Sequence, residues 1–120
     1  MRNLKLNIGL SLPLLAAFST AFAAASIPAQ FQGVWTPSAA ECNTYKQEGV
    51  TDQGVNIGTS AYQQYETGCD LQQVVRADRI SFTGRFLCNV EGNTSSETNK
   101  FTLSNGVLRV NNSQALRRCK

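Results

Sequence analysis

From Ile80 to Glu91 the chain alternates. The even positions read Ile80, Phe82, Gly84, Phe86, Cys88 and Val90, and the odd ones Ser81, Thr83, Arg85, Leu87, Asn89 and Glu91, with Leu87 the one break. Successive side chains of a strand point to opposite faces, so this pattern buries one face and wets the other. Upstream, Cys69, Leu71 and Val75 share a face, with Gln73 as a polar intruder. A turn near Ala77-Asp78 sets Val75 opposite Ile80 and brings Cys69 close to Phe86 and Cys88. Downstream, Phe101 and Leu103 alternate, Asn105-Gly106 is a two-residue hairpin signal, and Leu108 and Val110 alternate after it. With that turn Leu103 faces Leu108 and Phe101 faces Val110.

Three earlier segments read as shorter strands. Gln32 to Thr36 opens the fold with Val34 and Trp35, Gly54 to Thr59 carries Val55 and Ile57, and Ala61 to Glu66 carries Tyr62 and Tyr65, with Gly58 at a bend or bulge. Pro37 to Asp52 reads as a loop holding one helical turn, and Glu91 to Lys100 as a polar loop between strands. About six to eight short strands joined by hairpin turns define an all-β fold. The expected architecture is a small antiparallel meander, closed or partly open as a barrel and stapled by two disulfides.

The staples are the four cysteines, Cys42, Cys69, Cys88 and Cys119. An even count in a short exported chain reads as a disulfide framework, and no C-x-x-C supplies a redox or zinc motif. A Cys69–Cys88 bridge between neighbouring strands requires a small register adjustment. Cys42 then pairs with Cys119 by elimination, tying together the ends of the mature chain. Export itself is read from the N-terminus. Arg2 and Lys5 precede an apolar stretch from Leu6 to Phe22, and Ala21-Phe22-Ala23 and Ala23-Ala24-Ala25 have the small-residue spacing of a cleavage site. Residues 1–23 are therefore expected to be a secretory leader cleaved after Ala23 or Ala25, leaving residues 24–120 as one small β domain, periplasmic or secreted. No other apolar run is long enough to span a membrane in the mature form.

Composition then removes several classes of function. Of 120 residues none is His, which excludes Ser-His-Asp and Cys-His nucleophile chemistry and HExxH zinc sites. The chain has 11 Lys+Arg and 8 Asp+Glu; without Arg2 and Lys5 the balance is 9 against 8, a net charge of +1. Apart from Arg117-Arg118-Cys119-Lys120 there is no basic face of the kind nucleic-acid binding needs. Among the carboxylates are the pairs Glu66 with Asp70 and Glu91 with Glu97; Glu66 and Asp70 bracket a Gly-Cys turn that would let them approach each other, but charged residues beside a turn are ordinarily solvated. Asp52-Gln53-Gly54 lacks the further carboxylates of a calcium loop. The expectation is a protein that is not an enzyme, with no catalytic residues, no metal and no cofactor.

The order Phe31-Gln32-Gly33-Val34-Trp35, Cys42, Tyr65-Glu66, Cys69, Cys88-Asn89-Val90-Glu91-Gly92 and Arg118-Cys119 resembles a group of small exported, disulfide-containing proteobacterial proteins of unknown function. The Gly33-Val34-Trp35 element is also similar to the Gly-x-Trp opening of lipocalin-like barrels. That resemblance implies a Trp closing one barrel end against a late Arg, here Arg117 or Arg118.

Trp35, Tyr45, Tyr62 and Tyr65 are candidates for recognition, because aromatics with a polar tip are enriched in binding surfaces. Trp35 also suits the core, and Tyr62, Tyr65 and Trp35 are the residues taken forward as binding candidates. Thr51 to Tyr65, rich in Gly, Gln and Ser, is where a functional loop is expected. Two functions follow. One is a non-enzymatic binding protein holding a small ligand in a cavity lined by Phe82, Phe86 and Phe101. The other is a protein-interaction module such as an inhibitor of lysozyme or another hydrolase, with a filled barrel and an exposed loop carrying Tyr62 or Tyr65. Gly58-Thr59-Ser60-Ala61-Tyr62 is similar to the Ser-Gly-x-x-Tyr loop of one family of periplasmic lysozyme inhibitors, with Ala61 and Gln64 departing from it.

Overall fold

The computed structural model describes residues 25–120; the expected leader, residues 1–23, lies outside them. A short 3-10 turn, Ala29–Phe31, leads into strand β1 (Gly33–Thr36) and helix α1 (Ala39–Glu48). Seven strands follow: β2 (Val55–Ile57), β3 (Ala61–Gln64), β4 (Thr67–Ala77), β5 (Ser81–Val90), β6 (Asn93–Ser104), β7 (Val107–Val110) and β8 (Leu116–Arg118). Each strand pairs antiparallel with the next, and β1 pairs with β8, so the meander closes into an eight-stranded barrel. Both disulfides are present, Cys42–Cys119 and Cys69–Cys88.

The alternation in β5 does what period-two burial requires. Phe82, Gly84, Phe86 and Cys88 are buried, while Ile80 and Val90 at its ends stay exposed. The β6–β7 hairpin keeps the expected register, Leu103 opposite Leu108 and Phe101 opposite Val110. At its tip Asn105 and Gly106 take φ of 53° and 78°, as a mirror-image two-residue turn demands.

Three readings are corrected. First, Val75 does not face Ile80: the register slips between Leu71 and Gln73 and again between Val74 and Arg76. These two bulges turn Gln73 and Val75 outward, place Val74 opposite Gly84, and bring Cys69 directly opposite Cys88. The adjustment the disulfide needs is thus built into β4. Second, Glu91 to Lys100 is no loop. Glu91-Gly92 is the turn (φ 52° and 88°), and β6 starts at Asn93 and runs as strand through Lys100. Third, Pro37 to Asp52 contains the ten-residue helix α1. Ser38 caps it by accepting a bond from the Glu41 N–H at 3.2 Å, and Gly49 ends it in the left-handed region with its N–H on the Tyr45 carbonyl. The Cys42–Cys119 bridge fastens this helix beside the β1–β8 closure.

The interior is packed with the chain's own rings. Phe31, Phe82, Phe86 and Phe101 are fully buried, Phe82 and Phe101 stack at 5.8 Å, and Tyr62 sets its edge against Phe86 at 4.9 Å and Phe101 at 5.3 Å. A barrel of eight strands is only wide enough for side chains or one small ligand, and here side chains occupy it. Gly84 makes the fit: a Cβ there would lie 2.8 Å from Leu71 Cδ1 and 3.0 Å from the rings of Phe82 and Phe86.

Candidate functional site

One end of the barrel is sealed by Trp35. It is 2% exposed, its indole N–H donates to the Phe31 carbonyl at 2.9 Å, and the Arg118 guanidinium lies 4.3 Å over its ring. Register decides between the two arginines. Arg118 is the cross-strand partner of Trp35 and shares its face, whereas Arg117 is paired with Thr36. Arg118 also donates to the carbonyls of Gln30 (3.0 Å) and Gln32. Gly33 makes room for this: its φ is +121°, and a Cβ would sit 2.6 Å from Arg118 Nη1. Trp35 is therefore a structural closure and offers no surface to a partner.

Tyr62 is likewise inside. It lies on β3 at 4% exposure, and its hydroxyl accepts a bond from Asn99 Nδ2 at 2.6 Å. Asn99 in turn accepts from Asn111 Nδ2 at 2.9 Å. Burial, and then the charge of Glu97, push the Tyr62 phenol up to about 12. The segment Gly58 to Tyr62 thus presents no tyrosine to solvent, because the strand turns that ring inward.

Tyr65 is different. It is 57% exposed at the β3–β4 turn and forms one wall of an open cleft of about 490 Å³ on the outer surface of the barrel. The floor is a row of outward side chains in register across three strands, Val34, Asn56 and Gln63. The opposite wall comes from α1 and the segment after it: Tyr45, then Val50 at 65% exposure. Asp52 and Glu66 are the charged members of the lining, which includes neither Lys nor Arg. Their charges act on Tyr65: Glu66 first, then Asp52, raise its phenol pKa above the ordinary value. A bond from Thr51 Oγ1 to the Glu41 carboxylate ties the wall segment back to α1.

Of the residues singled out for binding, the fold brings Tyr65 and Tyr45 to one cleft and keeps Tyr62 and Trp35 in the core. The region Thr51 to Tyr65 supplies much of the cleft. Val34, Val50 and Glu66 were not legible as members, since they come from separate elements and share no periodicity. The Glu66–Asp70 pair does not assemble. Gly68 and Cys69 lie within β4 rather than at a turn, so Asp70 stands on the strand while Glu66 sits in the turn before it, at φ 54°. Among the described residues no group of three or more metal-ligating side chains clusters, and no helix is long and apolar enough to cross a membrane.

The fold defines a small, closed, disulfide-stapled antiparallel barrel with a cleft on its outer wall. No family model, curated protein or solved structure matches the chain.

Proposed function

We propose that this is an exported, non-enzymatic binding module, periplasmic or secreted, that takes a protein partner in the outer cleft. The observation that carries the reading is the contrast between a barrel axis filled by Phe31, Phe82, Phe86 and Phe101 and an open groove walled by Tyr45 and Tyr65. The filled axis favours the protein-interaction reading over a small ligand held among Phe82, Phe86 and Phe101. Two disulfides fit an oxidising compartment.

The chemistry of the cleft narrows the partner. Two phenol faces, an exposed Val50 and the carboxylates of Asp52 and Glu66 suit a projecting Lys or Arg, whose stem packs on the rings while its charge meets the acids. A cationic hydrolase such as lysozyme is a candidate of this kind. Titration of the ¹⁵N-labelled protein with lysozyme, followed by amide chemical shifts, tests it. Shifts confined to Tyr45–Asp52 and Asn56–Glu66, lost in Tyr65→Ala, are expected. No shift removes lysozyme, and shifts centred on Phe82, Phe86 and Phe101 would return the ligand to the barrel interior.

A further inference from the structure

A closed barrel has no free edge where every strand is paired along its whole length. Here two strands are not: β3 takes up β4 only over Thr67–Asp70, leaving an edge that the two bulges of β4 interrupt, and β6 has a longer, regular one. β6 pairs with β5 from Asn93 to Thr102, yet β7 takes up only Phe101–Ser104 on its other side. Lys100 marks the boundary. Its N–H donates to Asn111 Oδ1 and its carbonyl accepts from the Asn111 N–H, both at 2.8 Å. Backbone groups alternate in direction along a strand, so Thr98, Ser96 and Thr94 point the same way as Lys100, past the point where β7 has turned away. All three are exposed, and no Lys or Pro, the usual blocks to edge pairing, occurs between Asn93 and Asn99.

We propose that this edge pairs antiparallel with the same edge of a second copy, centred on Ser96. Side-chain register selects both the occupant and the centre. Around Ser96 the outer face sets Ser96 opposite Ser96 and Thr94 opposite Thr98, pairs of hydroxyls that stabilise antiparallel strands. The inner face sets Glu97 opposite Ser95 of the other copy. The same two groups already bond within one chain, Ser95 Oγ donating to the Glu97 carboxylate at 3.3 Å. Moving the centre to Glu97 would oppose two carboxylates and is disfavoured. Moving it to Thr98 would call on Lys100, whose backbone is already bonded to Asn111. The net charge of +1 expected for the mature chain adds little repulsion between copies. The cleft walled by Tyr45 and Tyr65 lies on β1–β3 and is not used.

Sedimentation equilibrium of the oxidised protein tests the pairing. A concentration-dependent monomer–dimer equilibrium is expected, and a monomer at every concentration up to the high-micromolar range overturns the proposal. Ser96→Pro removes an N–H that faces the free edge rather than β5, and should weaken the dimer roughly 10-fold or more. Should that variant misfold, Ser96→Lys, on the exposed outer face, opposes two like charges at the centre and should weaken it several-fold. A dimer indifferent to Ser96→Lys overturns the proposal. Under mild oxidation Ser96→Cys should cross-link to itself and Thr94→Cys should not; the reverse pattern excludes this register.

Discussion

Gly33, Trp35 and Arg118 show how three residues close a barrel end. The guanidinium lies over the indole and caps carbonyls of the segment leading into β1, and Gly33 leaves the space it occupies. Gly33→Ala should therefore destabilise by roughly 1–3 kcal/mol, from the strained φ and the displaced Arg118 together. Arg118→Ala should cost about 1–2 kcal/mol, whereas Arg117→Ala should fall within about 0.5 kcal/mol of wild type. Chemical denaturation of the three variants checks this order. Tyr62 provides a pH signature. Its phenol holds a proton more tightly folded, with a pKa of about 12, than unfolded, near 10. Stability should be intact below pH ~10 and fall as pH rises toward 12, and Tyr62→Phe should lack that component. Trp35 was legible as a core residue, since a small barrel needs large apolar side chains. Tyr62 was not, because β3 is four residues long and too short for its alternation to assign faces.

The strands with strong alternation were readable, and the elements without it were not. α1 has no buried residue and hence no apolar stripe. Its signal lay in punctuation instead: Ser38 and Glu41 at capping-box spacing, Lys46 in the last turn and Gly49 as the stop. A helix without a packed face leans on its caps and its staple. Ser38→Ala should cost about 1 kcal/mol. Replacing Cys42 and Cys119 together with Ser should cost roughly 2–4 kcal/mol, and amide exchange should rise first in α1 and at the β1–β8 seam. The N-terminal half of β6 was hidden for a related reason: both of its faces are polar, so nothing distinguished it from a loop. The bulges of β4 leave only an indirect trace in sequence, the misplaced Gln73 and the two-residue mismatch between Cys69 and Cys88.

At the level of the molecule, closure and core filling were both consequences of patterning, but the cleft was not. Its members come from β1, α1, the segment that follows, β2, β3 and the next turn, and they lie together only because the meander brings outward positions of neighbouring strands beside the helix. Polar outer-face residues carry no periodic signal that separates a binding groove from an ordinary wet surface. On the proposed function the groove, and not the interior, is the working part of the protein. Affinity capture from envelope extract, using wild type, Tyr65→Ala and Tyr62→Phe as baits, sets the two against each other. A protein held by wild type and by Tyr62→Phe but released by Tyr65→Ala is the predicted result. Equal capture by all three baits, or an apolar small molecule that co-purifies with the protein and is lost only in Tyr62→Phe, would contradict it.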